Sequence, residues 1–99
     1  MNIEQIRRFT AQIRNIAKKH GVSKIYVFGS AARGQSSGGS DVDFLVEMEG
    51  DASLFGAAGF GYEVEQLLGV QVDVVPISAL PLVKDRRFAE NVQKDAITL

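Results

Sequence analysis

The chain has 99 residues, 45% of them hydrophobic and 23% charged, with a formal net charge of −1. That length makes one domain, residues 1–99, with a modest core, and the composition excludes intrinsic disorder. A near-neutral balance argues against binding long nucleic acid, which needs a basic face, and the absence of cysteine excludes disulfides and thiolate metal sites. The first residues, Met1-Asn2-Ile3-Glu4-Gln5, lack the apolar stretch of a signal peptide. No run approaches the ~18 apolar residues of a membrane span, so a cytoplasmic protein without a membrane partner is expected.

Ile6, Phe9, Ile13 and Ile16 recur at helical spacing, with Arg7, Arg8, Arg14 and Lys18 on other faces. Asn2 suits an N-cap and Gly21 a left-handed stop, so one amphipathic helix is predicted up to His20. Lys24-Ile25-Tyr26-Val27-Phe28 is a β-branched and aromatic run bounded by glycine, read as a buried strand. Gly29 to Ser40 is rich in Gly and Ser and reads mostly as loop, with room for one helical turn at Ala31-Ala32-Arg33. Val42 to Glu47 is a second strand.

Ser53 is a candidate cap for a second helix ending near Leu68, before Gly69. Its first half holds Gly56, Gly59 and Gly61, each costing about 1 kcal/mol relative to Ala in a helix interior. Either the helix backbone packs closely against something there, or that half is ordered by a partner, or it is a poorly formed turn. Phe55, Phe60 and Tyr62 are read as core, with a partner groove as the alternative; Tyr26, Phe28 and Phe44 are also read as core. Val70 to Val75 is a third strand stopped by Pro76, and Pro81 opens a last helix with Leu82 or Val83, Phe88, Val92 and Ala96 as its apolar stripe. The expected fold is α/β (α+β): a small mixed sheet of about three strands with helices packed mainly on one side.

The chemistry is concentrated in three acids. Asp41 and Asp43 alternate with Val42 and Phe44 and so share a strand face, and Asp73 lies inside the third strand. If the second and third strands are neighbours, Asp73 joins the pair. Carboxylates in apolar strands are costly unless a cation neutralises them. Mg²⁺ is a hard, oxygen-seeking ion suited to the task, and two such ions could share these ligands in a displacement at phosphorus. Gly29 and Ser30, at the end of the first strand, let a phosphate approach the backbone and add a hydroxyl donor. There is no Gly-Lys-Ser/Thr sequence of a Walker loop. For each acid alone, a strand cap or a solvated sheet face is the plainer account; the three together favour a metal and nucleoside triphosphate site. Arg33 fits either a triphosphate contact or a local ion pair. Lys84, Arg86 and Arg87 suit a solvated helix face, with contact to a phosphate or an acidic partner as the alternative, and His20 suits a helix C-terminus.

The segments Val27-Phe28-Gly29-Ser30-Ala31-Ala32-Arg33-Gly34 and Ser40-Asp41-Val42-Asp43-Phe44-Leu45-Val46 resemble the signature of the polymerase-β-like nucleotidyltransferases, and more narrowly of the minimal nucleotidyltransferase (MNT) antitoxins. The likeness extends through Glu63 to Asp73 and weakly to Asp95-Ala96-Ile97. It implies that Asp41 and Asp43 hold Mg²⁺ and the triphosphate. Asp73 would complete the metal site and help activate an acceptor hydroxyl, with Gly29, Ser30 and Arg33 on the nucleotide. It further implies a HEPN-domain toxin as partner in a hetero-oligomer, silenced by transfer of AMP from ATP to a hydroxyl, most simply a tyrosine. The alternatives are an idle site with neutralisation by occlusion, and a small-molecule nucleotidyltransferase. The glycine-rich second helix departs from the family pattern.

Overall fold

A computed structural model describes residues 1–28, 42–50, 54–82 and 96–99. Helix α1 (Ile3–Arg7) opens with a capping box: the Asn2 side chain accepts from the Gln5 amide at 2.9 Å, and the Gln5 side chain accepts from the Asn2 amide at 3.0 Å. Helix α2 (Thr10–Lys19) follows after a break at Arg8 and Phe9. The single helix expected here is therefore two. At the junction the Thr10 hydroxyl donates to the Arg7 carbonyl at 2.8 Å, the kind of local side-chain bond that competes with a continuous helical ladder. The apolar stripe continues across the break, because Ile6 and Ile13 are both fully buried. Gly21 takes φ +73° after α2 and Gly69 takes φ +70° after the third helix, the left-handed stops that only glycine adopts without strain.

Strand β1 (Val22–Phe28) pairs antiparallel with β2 (Val42–Met48). Helix α3 (Leu54–Leu68) then leads to β3 (Val72–Pro76), which lies parallel to β2. Parallel neighbours need such a crossover, and the helix supplies it. A 3₁₀ helix spans Ile77–Leu82, and β4 (Ile97–Thr98) pairs antiparallel with β1. Among the described residues the sheet order is β3-β2-β1-β4. This is the mixed sheet that was expected, with a fourth strand added. Only two residues long, β4 leaves no periodicity to read; Arg14 Nη2 donates to the Leu99 carbonyl at 2.8 Å, and the Leu99 amide donates to that of Ile25 at 3.0 Å, which hold the segment in place. Ala96, expected on a terminal helix, directly precedes this strand; the rest of that helix, 83–95, lies outside the described residues, as does the Ser53 cap.

The sheet's two faces differ. Val42, Phe44 and Val46 of β2 point with Ile25 and Val27 toward the helices, where they meet Ile6, Ile13, Phe60 and Val64. Phe44 and Phe60 pack edge to face, ring centroids 5.8 Å apart and planes at 79°, a favoured aromatic arrangement. On the other face, Phe28 and Leu45 form a smaller buried cluster with Tyr26, Val75, Ile77 and Ala96 around it. No helix among the described residues is long and apolar enough to cross a membrane.

The three glycines of α3 owe their place to close packing. A Cβ on Gly56 would sit 2.4 Å from the His20 carbonyl oxygen, one on Gly59 2.7 Å from the His20 ring, and one on Gly61 3.0 Å from Val74 Cγ2. The helix backbone thus lies directly against the end of α2 on one side and β3 on the other. Of the aromatics expected in the core, Phe28, Phe44 and Phe60 are buried, but Phe55 is 87% and Tyr62 65% exposed. The reason is helical phase. Ala57, Phe60, Val64 and Leu68 form the buried stripe, and Phe55 and Tyr62, seven residues apart, fall outside it.

Candidate active site

Two of the three predicted acids are described, and the sheet brings them together. In the parallel pairing of β2 with β3, Asp43 lies opposite Asp73, between the pairs Val42–Val72 and Phe44–Val74. Neighbouring strands run ~4.8 Å apart, so the two backbones hold these carboxylates side by side. Alternation puts both on the face away from the core helices, because Val42 and Phe44 occupy the helix side. On its other flank Asp43 is opposite Phe28 of β1, the residue immediately before Gly29. Asp43 is half-buried and Asp73 exposed. The predicted residues Asp41, Gly29, Ser30 and Arg33 lie outside the described residues, and so do Lys84, Arg86 and Arg87.

The donor chemistry suits Mg²⁺. Two carboxylates in register offer the hard oxygen ligands that this ion prefers. Among the described residues no group of three His, Cys, Asp or Glu side chains gathers; Asp41, directly before Val42, is the third acid that the sequence offers at this end of β2.

A separate feature lies where α3 meets the β3 edge, and sequence reasoning did not assign it. A groove of about 330 Å³ between α3 and the β3 edge is lined by Ala58, Gly61, Tyr62, Glu65, Val72 and Asp73, among others. Glu65 Oε1 accepts a hydrogen bond from the Val72 amide at 3.1 Å, tying the last turns of α3 to the start of β3. The available signal was the offset of Tyr62 from the buried stripe.

A second acidic position behaves differently. Glu63 accepts from Lys19 Nζ at 2.7 Å and contacts the His20 ring through Nε2. Hydrogen bonds from Lys19 and then His20 hold its carboxyl below the ordinary value of 4.5. His20, read from the sequence as a helix C-terminal residue, is the C-cap of α2 and reaches across the α2–α3 seam to Glu63.

The nucleotidyltransferase domain model matches residues 10–97. A Methanocaldococcus jannaschii protein, provisionally named a protein adenylyltransferase, is 42% identical over 93 residues, covering 93% of this chain and 97% of its own. The protein adenylyltransferase MntA of Thermococcus cleftensis is 38% identical over 81 residues, covering 81% and 82%. A solved structure described provisionally as a minimal nucleotidyltransferase superposes with a TM-score of 0.76 at 34% identity, covering 100% of this chain and 97% of that one. A chain from the complex of a tri-AMPylated Shewanella oneidensis HEPN toxin with an MNT antitoxin shares the fold, with a TM-score of 0.61 at 16% identity and coverage of 89% and 66%. With the signature segments, the paired acids and a match over nearly its whole length, the chain belongs to the nucleotidyltransferase domain family.

Proposed function

We propose that this chain is an antitoxin-type nucleotidyltransferase that transfers AMP from ATP to a hydroxyl, a tyrosine in the simplest case, of a cognate HEPN ribonuclease toxin and so neutralises it. The observation that carries the reading is the register of Asp43 against Asp73, next to the strand end that leads into Gly29 and Ser30. The names of the two curated relatives, and the AMPylated toxin in complex with an MNT antitoxin, support the choice of nucleotide and of a protein partner.

In this reading Asp41, Asp43 and Asp73 hold Mg²⁺, two ions in all. When bound, the metal neutralises the triphosphate and the departing pyrophosphate. Gly29 leaves the backbone open to the phosphates, Ser30 donates its hydroxyl to them, and Arg33 adds positive charge. Asp73, exposed at the edge strand, takes the proton of the incoming acceptor hydroxyl. Its exposure matters: β3 is an edge strand among the described residues, where an acceptor carried on another protein can approach.

The test is transfer of label from α-labelled ATP, with Mg²⁺, to the purified cognate toxin. Wild type is expected to label one or more toxin tyrosines, and Asp41→Asn with Asp43→Asn to reduce labelling to background. No labelling by wild type, or undiminished labelling by the double variant, overturns the proposal. Neutralisation of the toxin by the double variant at wild-type dose would assign it to occlusion instead.

A further inference from the structure

We propose that a basic groove between α2 and β1 holds an extended acidic segment of the toxin, a docking site remote from the paired acids; the choice of partner rests on the function proposed above. The groove measures about 280 Å³ and is bordered by Arg14 and Lys18 of α2 and by Lys24 of β1, with no acid among its lining residues. Its base is aliphatic, because Ala17, Val22 and Ile25 are buried there. The charge belongs to a wider asymmetry: residues 1–24 carry Arg7, Arg8, Arg14, Lys18, Lys19 and Lys24 against the one acid Glu4, in a chain of net charge −1. The groove lies toward the Val22 end of β1, whereas Asp43 is opposite Phe28 at the other end. At ~3.3 Å per residue those two ends are ~20 Å apart.

A second observation lies in the backbone. β4 pairs with β1 at Tyr26 and Val27, and the Leu99 amide reaches the Ile25 carbonyl. β1 runs on to Val22, so over Val22–Lys24 the flank away from β2 carries no paired strand among the described residues. An open strand edge is where an added strand pairs by its main chain. The side chains around it call for acids. Lys18 makes no ion pair among the described residues. Lys24 reaches Glu47 only at 3.7 Å, with both side chains well exposed, a pair worth little. Arg14 spends one Nη2 bond on the Leu99 main-chain oxygen. Arg14 and Lys18 stand ~6 Å apart along their helix, close to the ~6.6 Å between alternate residues of a strand. A strand also presents its two kinds of side chain on opposite faces, so carboxylates alternating with aliphatic groups would meet the cations and the apolar base together. No aromatic lines the groove, so it lacks the stacking platform that single-stranded RNA uses.

The experiment titrates the purified, fluorescently labelled full chain with the cognate toxin in ATP-free buffer and follows anisotropy. The variant is Lys18→Gln with Lys24→Gln, because Arg14 also anchors Leu99; its thermal melting should match wild type, since both side chains are exposed. The Kd for the toxin is expected to rise about tenfold in the variant, and Lys18→Arg with Lys24→Arg to keep wild-type affinity. Amide hydrogen exchange over Val22–Lys24 is expected to slow when the toxin binds. With saturating toxin and ATP the glutamine variant should transfer label at the wild-type rate, because the groove holds the partner and touches no reacting atom. Unchanged affinity of the glutamine variant, equal loss in the arginine variant, or unslowed exchange over Val22–Lys24 overturns this inference and leaves the function standing. So does binding of a single-stranded RNA that the glutamine variant loses while keeping the toxin, which would give the groove to nucleic acid. A toxin that does not bind wild type overturns the function and this inference with it. Binding that meets these expectations without any transfer of label overturns the catalytic reading and upholds the docking site.

Discussion

Glu63 and Asp73 are both acids placed by the α3–β3 unit, yet their surroundings are opposite. Glu63 points at the α2–α3 seam, where Lys19 and His20 supply two cationic or hydrogen-bonding partners. Asp73 lies opposite a second acid, Asp43, on the neighbouring strand. The first arrangement is already matched and holds two helices together. The second sets two carboxylates in register on one sheet face, the arrangement that the proposed site for Mg²⁺ and a triphosphate uses. Complementary charge within the chain ties helix to helix at Glu63, and like charge in register is what the proposed function uses at Asp43 and Asp73.

The largest expected effect breaks the scaffold side of this comparison. Gly56→Ala should gain about 1 kcal/mol of helix propensity but place a methyl 2.4 Å from the His20 carbonyl oxygen. That oxygen is backbone and cannot rotate away, so the helices must separate, at a cost of roughly 1–3 kcal/mol or more from overpacking. A net loss of stability is expected as a lower urea midpoint with unchanged m-value. Gly59→Ala should cost less, because its new methyl meets the His20 ring, and a side chain can yield. An unchanged or raised midpoint for Gly56→Ala would mean that the seam is not closely packed.

A smaller effect should come from pH. The Glu63 carboxyl is held low in the folded chain, first by Lys19 and then by His20. A group whose folded pKa is depressed adds stability above its unfolded value of about 4.5, and that contribution is lost as pH falls through the folded pKa. Wild type should therefore lose stability more steeply than Glu63→Gln as pH is lowered below about 4.5, with the two curves parallel near neutral pH. Identical acid limbs in urea titrations would show that the Lys19 and His20 contacts carry no stability.

Much of the fold was legible because its signals are local. The Asn2 cap, the Gly21 and Gly69 stops and the runs leading to β1, β2 and β3 are each written in a few consecutive residues. The break between α1 and α2 was not, because the stripe of Ile6 and Ile13 runs on through it and one Thr10 hydrogen bond interrupts the ladder. Nor was β4, whose two residues are placed by partners far away in sequence. The α3 glycines were visible but ambiguous: their meaning lies in what a Cβ would strike, and that is a property of α2 and β3. At the site, the alternation around Asp43 told which face it takes, but its alignment with Asp73 depended on strand order, which no single strand encodes. Tyr62 was assigned to the core on aromatic character when its helical phase pointed outward.

The smallest expected effect is on the other side of the comparison. Like charges directly opposite each other in a sheet are destabilising, by roughly 0.2–1 kcal/mol. Asp73→Asn removes one of two such charges from an exposed position, so the folded chain in metal-free buffer should be unchanged or slightly more stable, within about 0.5–1 kcal/mol. Any gain should shrink as salt is added, since the screening length falls to ~10 Å at 0.1 M and ~3 Å at 1 M ionic strength. A loss of more than about 2 kcal/mol would place Asp73 with Glu63, as an acid kept for structure, because exposed positions without a structural role stay near ±0.5 kcal/mol. Stability near that of wild type, combined with loss of adenylyl transfer, is the signature of a residue that the fold tolerates for its chemistry.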